Sequence, residues 1–364
     1  MTRLFEPIRV GGMELFNRIV LAPLTRFRND DDHIPLPFVK QYYAQRASTP
    51  GSFLISEATL ISPDAGGLPN VPGIYTDEQI SAWKEVTDAV HAKGSYIYMQ
   101  LWSLGRVARS TAGRQQSAVS SSMTPLNTEL STPRALTESE IGTYTAQYAQ
   151  AARNAMAAGF DGVEIHGASG YMLDEPIQDG KPMDSWGGSV EDRGCFAINV
   201  ARAVSDAIGA DRTAIRLGTL IAREGMRMAH SLPQFGRLAQ ELRLLKLAYV
   251  HLVESRLESD AHIEATNQLD FFFEAYQDAS PVIVAGGYGP TSAAEAVDSK
   301  YSNHDVLIAF GRPYISNPDL PFRIKENLPL MPYDHDVFYT PKTPKGYIDY
   351  DFSTEFQASS ATAA

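Results

Sequence analysis

A single-domain (β/α)8 TIM barrel of the α/β class is the fold this sequence predicts, and three observations predict it. Eight short runs of β-forming residues, apolar on both sides of the pleat, recur along the chain, as strands of a parallel sheet covered on both faces do. Long amphipathic stretches alternate with them, and eight strand–helix units are the arithmetic of such a barrel. A doubly wound sheet is the runner-up, but no Gly-x-Gly-x-x-Gly follows the first run, where a dinucleotide fold would place it.

In chain order the expected strands are Ile19–Ala22, Phe53–Glu57, Tyr96–Leu101, Gly162–His166, Thr213–Leu217, Tyr249–Val253, Val282–Ala285 and Val306–Phe310. Helical periodicity covers Asp77–Ala92, Glu138–Ala158, Val190–Ile208, Pro233–Leu245, Gln268–Asp278 and Thr291–Ser299. Two of these helices open on capping boxes, Thr76 with Gln79 and Thr137 with Glu140. The segment 103–136 is rich in Ser, Thr and Pro and interrupts the alternation after strand three. A loop of that length in a compact domain is expected to be a functional lid. The domain reading is one barrel over residues 1–352, carrying the lid at 103–136, with a small polar tail at 353–364 expected to be flexible.

Composition narrows the function classes. With 364 residues the chain can bury roughly three quarters of its unfolded surface. Hydrophobic residues make up 44 % and charged residues 20 %, as in an ordinary globular protein. The net charge of −12, with no cluster of Lys and Arg, argues against a nucleic-acid partner. The single Cys195 cannot form an internal disulfide and reads as a small buried filler. No apolar run approaches the ~18 residues of a membrane span, and the first residues lack the apolar core of a signal peptide. A cytoplasmic protein acting on a small molecule, as a monomer or homodimer, with no membrane, nucleic-acid or metal partner, is expected.

Barrels of this kind place their chemistry at the C-terminal ends of the strands. There the sequence puts Thr25 after strand one, Gln100 within strand three, His166 closing strand four and Arg216 within strand five. Gly286-Gly287 follows strand seven and Gly311-Arg312 follows strand eight. Each alone has a bland role in a turn or loop, but their convergence on one rim points to a site. Glycines after strands seven and eight let backbone N–H groups approach an anion, and Arg312 adds a fixed bidentate donor. A phosphate held there lays its ligand across the mouth, where Gln100, Arg216 and Thr25 meet the edges of a planar heterocycle. A cationic Arg beside a ring nitrogen favours a reduced, anionic ring, which points to flavin mononucleotide, FMN. Tyr171, five residues after His166, supplies a phenol beside an imidazole: one to deliver a proton, the other to hold a carbonyl oxygen.

The chain resembles the old yellow enzymes, FMN-dependent ene-reductases, over nearly its whole length. The resemblance is carried by Leu4-Phe-Glu-Pro, Asn17-Arg-Ile-Val-Leu-Ala-Pro-Leu-Thr-Arg26, Gln41-Tyr-Tyr-Ala-Gln-Arg46, Gln100-Leu-Trp102 and Asp161-Gly-Val-Glu-Ile-His166. It continues through Gly187-Gly-Ser189, Gly311-Arg312, Ile315-Ser-Asn-Pro-Asp-Leu320 and Gly346-Tyr-Ile-Asp-Tyr350. Pro37-Phe-Val-Lys-Gln-Tyr-Tyr43 and Asn317-Pro-Asp-Leu-Pro-Phe-Arg323 are most similar to the fungal branch of secondary metabolism, ergot-alkaloid enzymes included. It implies non-covalent FMN, reduced by NAD(P)H, acting on an α,β-unsaturated carbonyl compound. It further implies flavin contacts at Pro23, Thr25, Ala58, Gln100, Arg216, Gly286, Gly311 and Arg312, with Gly287 beside them. Tyr171 falls at the proton-donor position, and Trp102, His166, Tyr339 and Phe271, one of the run Phe271–Phe273, at substrate-lining positions.

Three departures accompany the resemblance. The family grips the carbonyl with His and Asn, or two His, three residues apart; here the pair is His166 and Ser169. Glu175-Pro176 stands where Gln-Phe is usual and Pro182 where an Arg is usual. Strand five is followed by Gly218-Thr219 where Ser-Pro is common. They leave open a redox-neutral isomerase, a dehydrogenase or a cyclase on the same cofactor, or a barrel that binds without catalysis.

Overall fold

Eight parallel strands close into a ring because each run is long enough to pair on both edges and apolar enough to be covered on both faces. The computed structural model describes residues 2–108, 119–120, 134–179, 193–218, 231–254 and 269–363. The strands are β1 (Ile19–Leu21), β2 (Phe53–Ile55), β3 (Tyr96–Trp102), β4 (Gly162–Gly167), β5 (Thr213–Leu217), β6 (Tyr249–Val253), β7 (Val282–Ala285) and β8 (Val306–Phe310). Each pairs with the next in parallel, and β8 returns to β1 with Ile308 opposite Ile19, closing the barrel. The second strand stops at Ile55 instead of Glu57. There the Glu57 N–H donates to the Tyr43 hydroxyl (2.9 Å) rather than to a neighbouring strand.

Side chains alternate between two cores, as a period of two requires. Outward residues such as Ile19, Leu54, Met99, Ile165, Leu217, Leu252, Val284 and Ile308 meet the helices. Inward residues Val20, Phe53, Tyr98, Ala214, Tyr249, Ile283 and Leu307 fill the barrel. Phe53, Tyr98 and Tyr249 touch one another with ring centroids 5.2–5.6 Å apart, plugging the lower interior. An unexpected antiparallel hairpin, Ile8–Val10 with Met13–Leu15, adds its buried residues to that inner core.

The helices are α1 (Val39–Arg46), α2 (Asp77–His91), α3 (Glu138–Ala157), α4 (Glu175–Asp179), α5 (Cys195–Ile208), α6 (Ser231–Leu245), α7 (Asp270–Tyr276) and α8 (Pro290–Glu295). They continue with α9 (Arg312–Ser316), α10 (Leu320–Lys325) and α11 (Thr354–Ala363). Both expected capping boxes form, at the starts of α2 and α3. Helix α1 was not expected, although its buried residues Val39, Tyr42, Tyr43 and Arg46 follow helical spacing. The stripe is built from Tyr and Arg instead of aliphatic residues, so hydropathy conceals it.

The tail is a correction. Instead of a flexible end over 353–364, the chain forms α11, anchored by Ser353, whose N–H and hydroxyl both donate to Asp319 Oδ2 (2.9 and 2.5 Å). Phe356 stacks on Phe352 and meets Phe322 edge-on, so tertiary contacts supply the order that the small polar residues do not. The expected lid lies outside the described residues except for its ends and Val119–Ser120, which pairs in parallel with Arg134–Ala135. The altered stretch around Pro182 and the residue Thr219 also lie outside them.

Candidate active site

Period-two alternation sends Gln100 and Trp102 of β3, Glu164 and His166 of β4, Arg216 of β5 and His251 of β6 into the barrel above its apolar plug. Strand register sets them side by side: Gln100 lies opposite Glu164, and Arg216 lies opposite both His166 and His251. The expected residues Gln100, His166 and Arg216 are thereby brought into one layer at the mouth. Glu164, fully buried, is its hub. Its Oε1 accepts from Gln100 Nε2 (2.7 Å), and its Oε2 accepts from His251 Nδ1 (2.8 Å) and the Tyr249 hydroxyl (3.1 Å). Burial opposes the charge on Glu164, but His251, Arg216 and these hydrogen bonds outweigh it and hold the carboxyl below its usual range.

His166 is buried at the rim, and burial, with Arg216 and His251 beside it, holds its pKa well below the ordinary histidine value. The ring is therefore neutral. The Ala168 N–H donates to its Nδ1 (3.3 Å), which leaves the ring proton on Nε2. Tyr171 meets His166 and Trp102 edge-on, with centroids 5.0 and 4.9 Å away. The Tyr171 turn is braced from below: Gly170 N–H donates to Asp174 Oδ2 (2.8 Å), and the Asp174 and Glu175 N–H groups donate to Tyr171 O (2.9 and 3.0 Å). Gly105 packs on that turn so closely that a Cβ would stand 2.8 Å from Met172 Cα. Only glycine fits. Ser169 sits between His166 and Tyr171 with φ +63°, in the left-handed region that Asn tolerates better than Ser.

Ala58, Leu60, Val71, Trp102 and Leu104 form an apolar wall against which Tyr171, Tyr75 and Phe27 pack. Phe27 is held at φ +56°, a position that costs a bulky residue on the order of 1–3 kcal/mol. Its neighbours fix it there. Arg26 donates to Phe338 O (3.0 Å) and Gly346 O (2.6 Å), Arg28 donates to Thr343 O (2.7 Å) and Val337 O (2.9 Å), and Lys342 N–H donates to Phe27 O (2.9 Å). The same bonds pin the segment carrying Tyr339, which is exposed and meets Phe27 edge-on at 5.9 Å. Phe271 does not join this group, and the expectation for it is corrected. It lies on α7, outside the barrel, half-buried against the core shared by strands and helices, because the run Phe271–Phe273 serves that core.

On the opposite side of the mouth, Gly287 adopts φ +85°, which demands glycine. The adjoining loop is braced by Glu254, which accepts from the hydroxyls of Tyr288 and Tyr301 and from Lys300 Nζ, the last two at 2.6 Å. Gly311 faces Leu24, between Pro23 and Thr25, with a built Cβ 3.4 Å from the Leu24 side chain. The loops after β1 and β8 therefore abut. Arg312 opens α9 with its guanidinium 6.0 Å from the Tyr333 ring centre.

These residues fit FMN. Arg216 Nε is buried with no hydrogen-bond partner among the described residues, a donor awaiting the edge of a ring. Gln100 commits its amide nitrogen to Glu164, leaving its Oε1 as an acceptor. Glu164, His251, Tyr249 and Phe27 were not singled out from sequence, although a Glu two residues before His166 in an apolar run shares its inward face. Among the described residues no group of three or more His, Cys, Asp or Glu could hold a metal, and no helix is long and apolar enough to cross a membrane.

The profile of the NADH:flavin oxidoreductase / NADH oxidase family matches residues 3–331. Chanoclavine-I aldehyde reductase of Penicillium roqueforti is 57 % identical over 100 % of both chains. The NADP-dependent oxidoreductase lnbE of Aspergillus flavus is 49 % identical over 98 % of this chain and 97 % of its own. The crystal structure of old yellow enzyme from Pichia sp. AKU4542 superposes with a TM-score of 0.89 at 35 % identity, covering 97 % of this chain and 94 % of that one.

Proposed function

We propose, from the premise that this chain belongs to the NADH:flavin oxidoreductase / NADH oxidase family, that it saturates the C=C bond of an α,β-unsaturated aldehyde or ketone in fungal natural-product biosynthesis. That it is an FMN-dependent oxidoreductase using NAD(P)H follows from the family and the relatives. The aldehyde reductase of Penicillium roqueforti supports the carbonyl class of substrate. The observation that carries the reading is the packing of His166, Trp102 and Tyr171 at one rim of the barrel, within 4.9–6.4 Å of one another.

Bound across the mouth, FMN would supply hydride transfer from NAD(P)H to the β-carbon of the substrate. Pro23, Thr25, Ala58, Gln100 and Arg216 would line the ring, and Gly286, Gly287, Gly311 and Arg312 the phosphate. The neutral His166 donates its Nε2–H to the carbonyl oxygen and, having no charge to give up, holds the developing negative charge without releasing its proton. Ser169 is the second donor to that oxygen, its hydroxyl reaching one bond less far than an amide. Tyr171 gives its proton to the α-carbon and is restored from solvent. Trp102 and Tyr339 enclose the alkene from either side. The cytosol, where NAD(P)H is supplied and a chain with one cysteine needs no oxidant, is its proposed location.

The test is a single turnover. Protein loaded with FMN and reduced with one equivalent of NADPH without oxygen is mixed with a conjugated aldehyde. The reading expects the oxidised-flavin absorbance to return as the saturated aldehyde forms. Flavin that stays reduced with every conjugated aldehyde and ketone tried would refute it.

A further inference from the structure

We infer that Glu164 is a positioning residue that sets how much more tightly the protein holds reduced FMN than oxidised FMN, acting through Gln100 and against the charge of Arg216. The inference rests on the FMN reading above. Its basis is the buried layer beneath the mouth. Both oxygens of Glu164 are filled, by Gln100 Nε2 at 2.7 Å, His251 Nδ1 at 2.8 Å and the Tyr249 hydroxyl at 3.1 Å. None of the side chains in the Glu164–His251 pair has solvent exposure. The carboxylate is thus fixed in place and cannot be screened by water.

Two consequences follow for a ring lying above this layer. The Gln100 amide is oriented by an anion that takes one of its two N–H hydrogens, which fixes the amide plane and leaves Oε1 as an acceptor. The negative charge of Glu164, two strand positions below the rim, also offsets the guanidinium of Arg216, which lies opposite His166 and whose Nε has no partner among the described residues. Reduction adds negative charge to the ring, which a lone Arg216 would favour strongly and a balanced one favours less. Glu164 therefore lowers the potential at which the cofactor works, keeping it able to give hydride away to an alkene after accepting it.

The test compares Glu164→Gln, which removes the charge and keeps the shape, with Tyr249→Phe, which keeps the charge and removes one of its three donors. The midpoint potential of bound FMN is measured against a reference dye, and the affinity for oxidised FMN by fluorescence. Glu164→Gln is expected to raise the potential by about 30 mV, the equivalent of tenfold tighter holding of reduced over oxidised FMN. Tyr249→Phe is expected to move it by less than half as much. An unchanged or lowered potential in Glu164→Gln, or equal shifts in the two variants, would overturn the inference. Should Glu164→Gln fail to fold, Glu164→Asp serves, with its potential expected near that of the parent protein and its affinity for oxidised FMN weakened. A raised potential there would overturn it equally. A parent protein that binds no FMN would refute the functional reading itself, whereas bound FMN with an unmoved potential refutes only this role of Glu164.

Discussion

Ser169→Asn should improve the enzyme. On the proposed function Ser169 is the second hydrogen-bond donor to the substrate oxygen, and a hydroxyl stops one bond short of the reach of an amide N–H. Removing one donor from such a site costs on the order of 10²–10³ in rate, about 2.7–4 kcal/mol. A bridging water restores part of that, so an amide in place should recover about tenfold in kcat/KM, close to 1.4 kcal/mol. The backbone allows it. Position 169 has φ +63°, where Asn is several-fold enriched and Ser is not, so folding stability should hold or rise slightly. The neighbour across the turn is Gly218, whose built Cβ would stand 3.4 Å from Ala168 Cβ and 3.6 Å from Ser169 N, so position 218 adds no side chain to compete with an amide at 169. The assay is steady-state kcat and KM with a small cyclic enone, with thermal unfolding alongside. A variant that retains FMN and its melting temperature yet gains nothing in kcat/KM would show that position 169 is not the second donor.

Three further outcomes are expected. Tyr171→Phe should lower turnover of the alkene by about 10²–10⁴, while stopped-flow reduction of FMN by NADPH is unchanged; loss of both half-reactions would remove Tyr171 from the proton step. Burial pushes the Glu57 carboxyl up to about 7, against the pull of the Arg26 N–H and charge and of Asn29. Its folded form thus holds a proton that the unfolded chain releases above about 4.3, so the fold loses stability as pH rises from about 4.3 to about 7, and the loss is complete above that. Glu57→Gln should accordingly gain up to about 3 kcal/mol at pH 8 relative to the parent protein, with less at pH 5, by urea unfolding; equal gains at both pH values would contradict this. His91 has the opposite dependence. Its hydrogen bond to Asp161 (3.0 Å) raises its pKa, so its contribution is complete below the unfolded value near 6.5 and disappears as pH climbs through the raised value. The melting temperature lost in His91→Gln should shrink from pH 5.5 to pH 8.5, and a constant difference would contradict the pairing.

The barrel was legible because each strand buries both faces, so every run reads as continuous apolar sequence whatever its neighbours do. What escaped reading owes its order to distant partners. The α1 stripe of Tyr42, Tyr43 and Arg46 is buried only because Tyr347 stacks on Tyr42 at 4.0 Å and Tyr314 O and Ile315 O accept from Arg46. Helix α11 depends on Asp319 and Phe322, more than thirty residues earlier in sequence for the Ser353–Asp319 pair. At the site, strand ends disclosed His166, Arg216 and Gln100, while Glu164 and His251 passed as members of apolar runs although the same alternation turns them inward. Phe271 misled because three consecutive aromatics on a helix cannot share a face, and the core claims the run. Arg26 and Arg28, conspicuous in sequence, serve to fix Phe27 and the segment around Tyr339 more than to touch a ligand.

The origin of the two added hydrogens tests the central claim most directly. With NADPH carrying deuterium at C4 on the transferred face and a conjugated aldehyde as substrate, the product should contain one deuterium at the β-carbon. In D2O with unlabelled NADPH it should contain one at the α-carbon. A transformed product without label from NADPH would contradict the account, because hydride would then not have passed from the nicotinamide through FMN to the alkene.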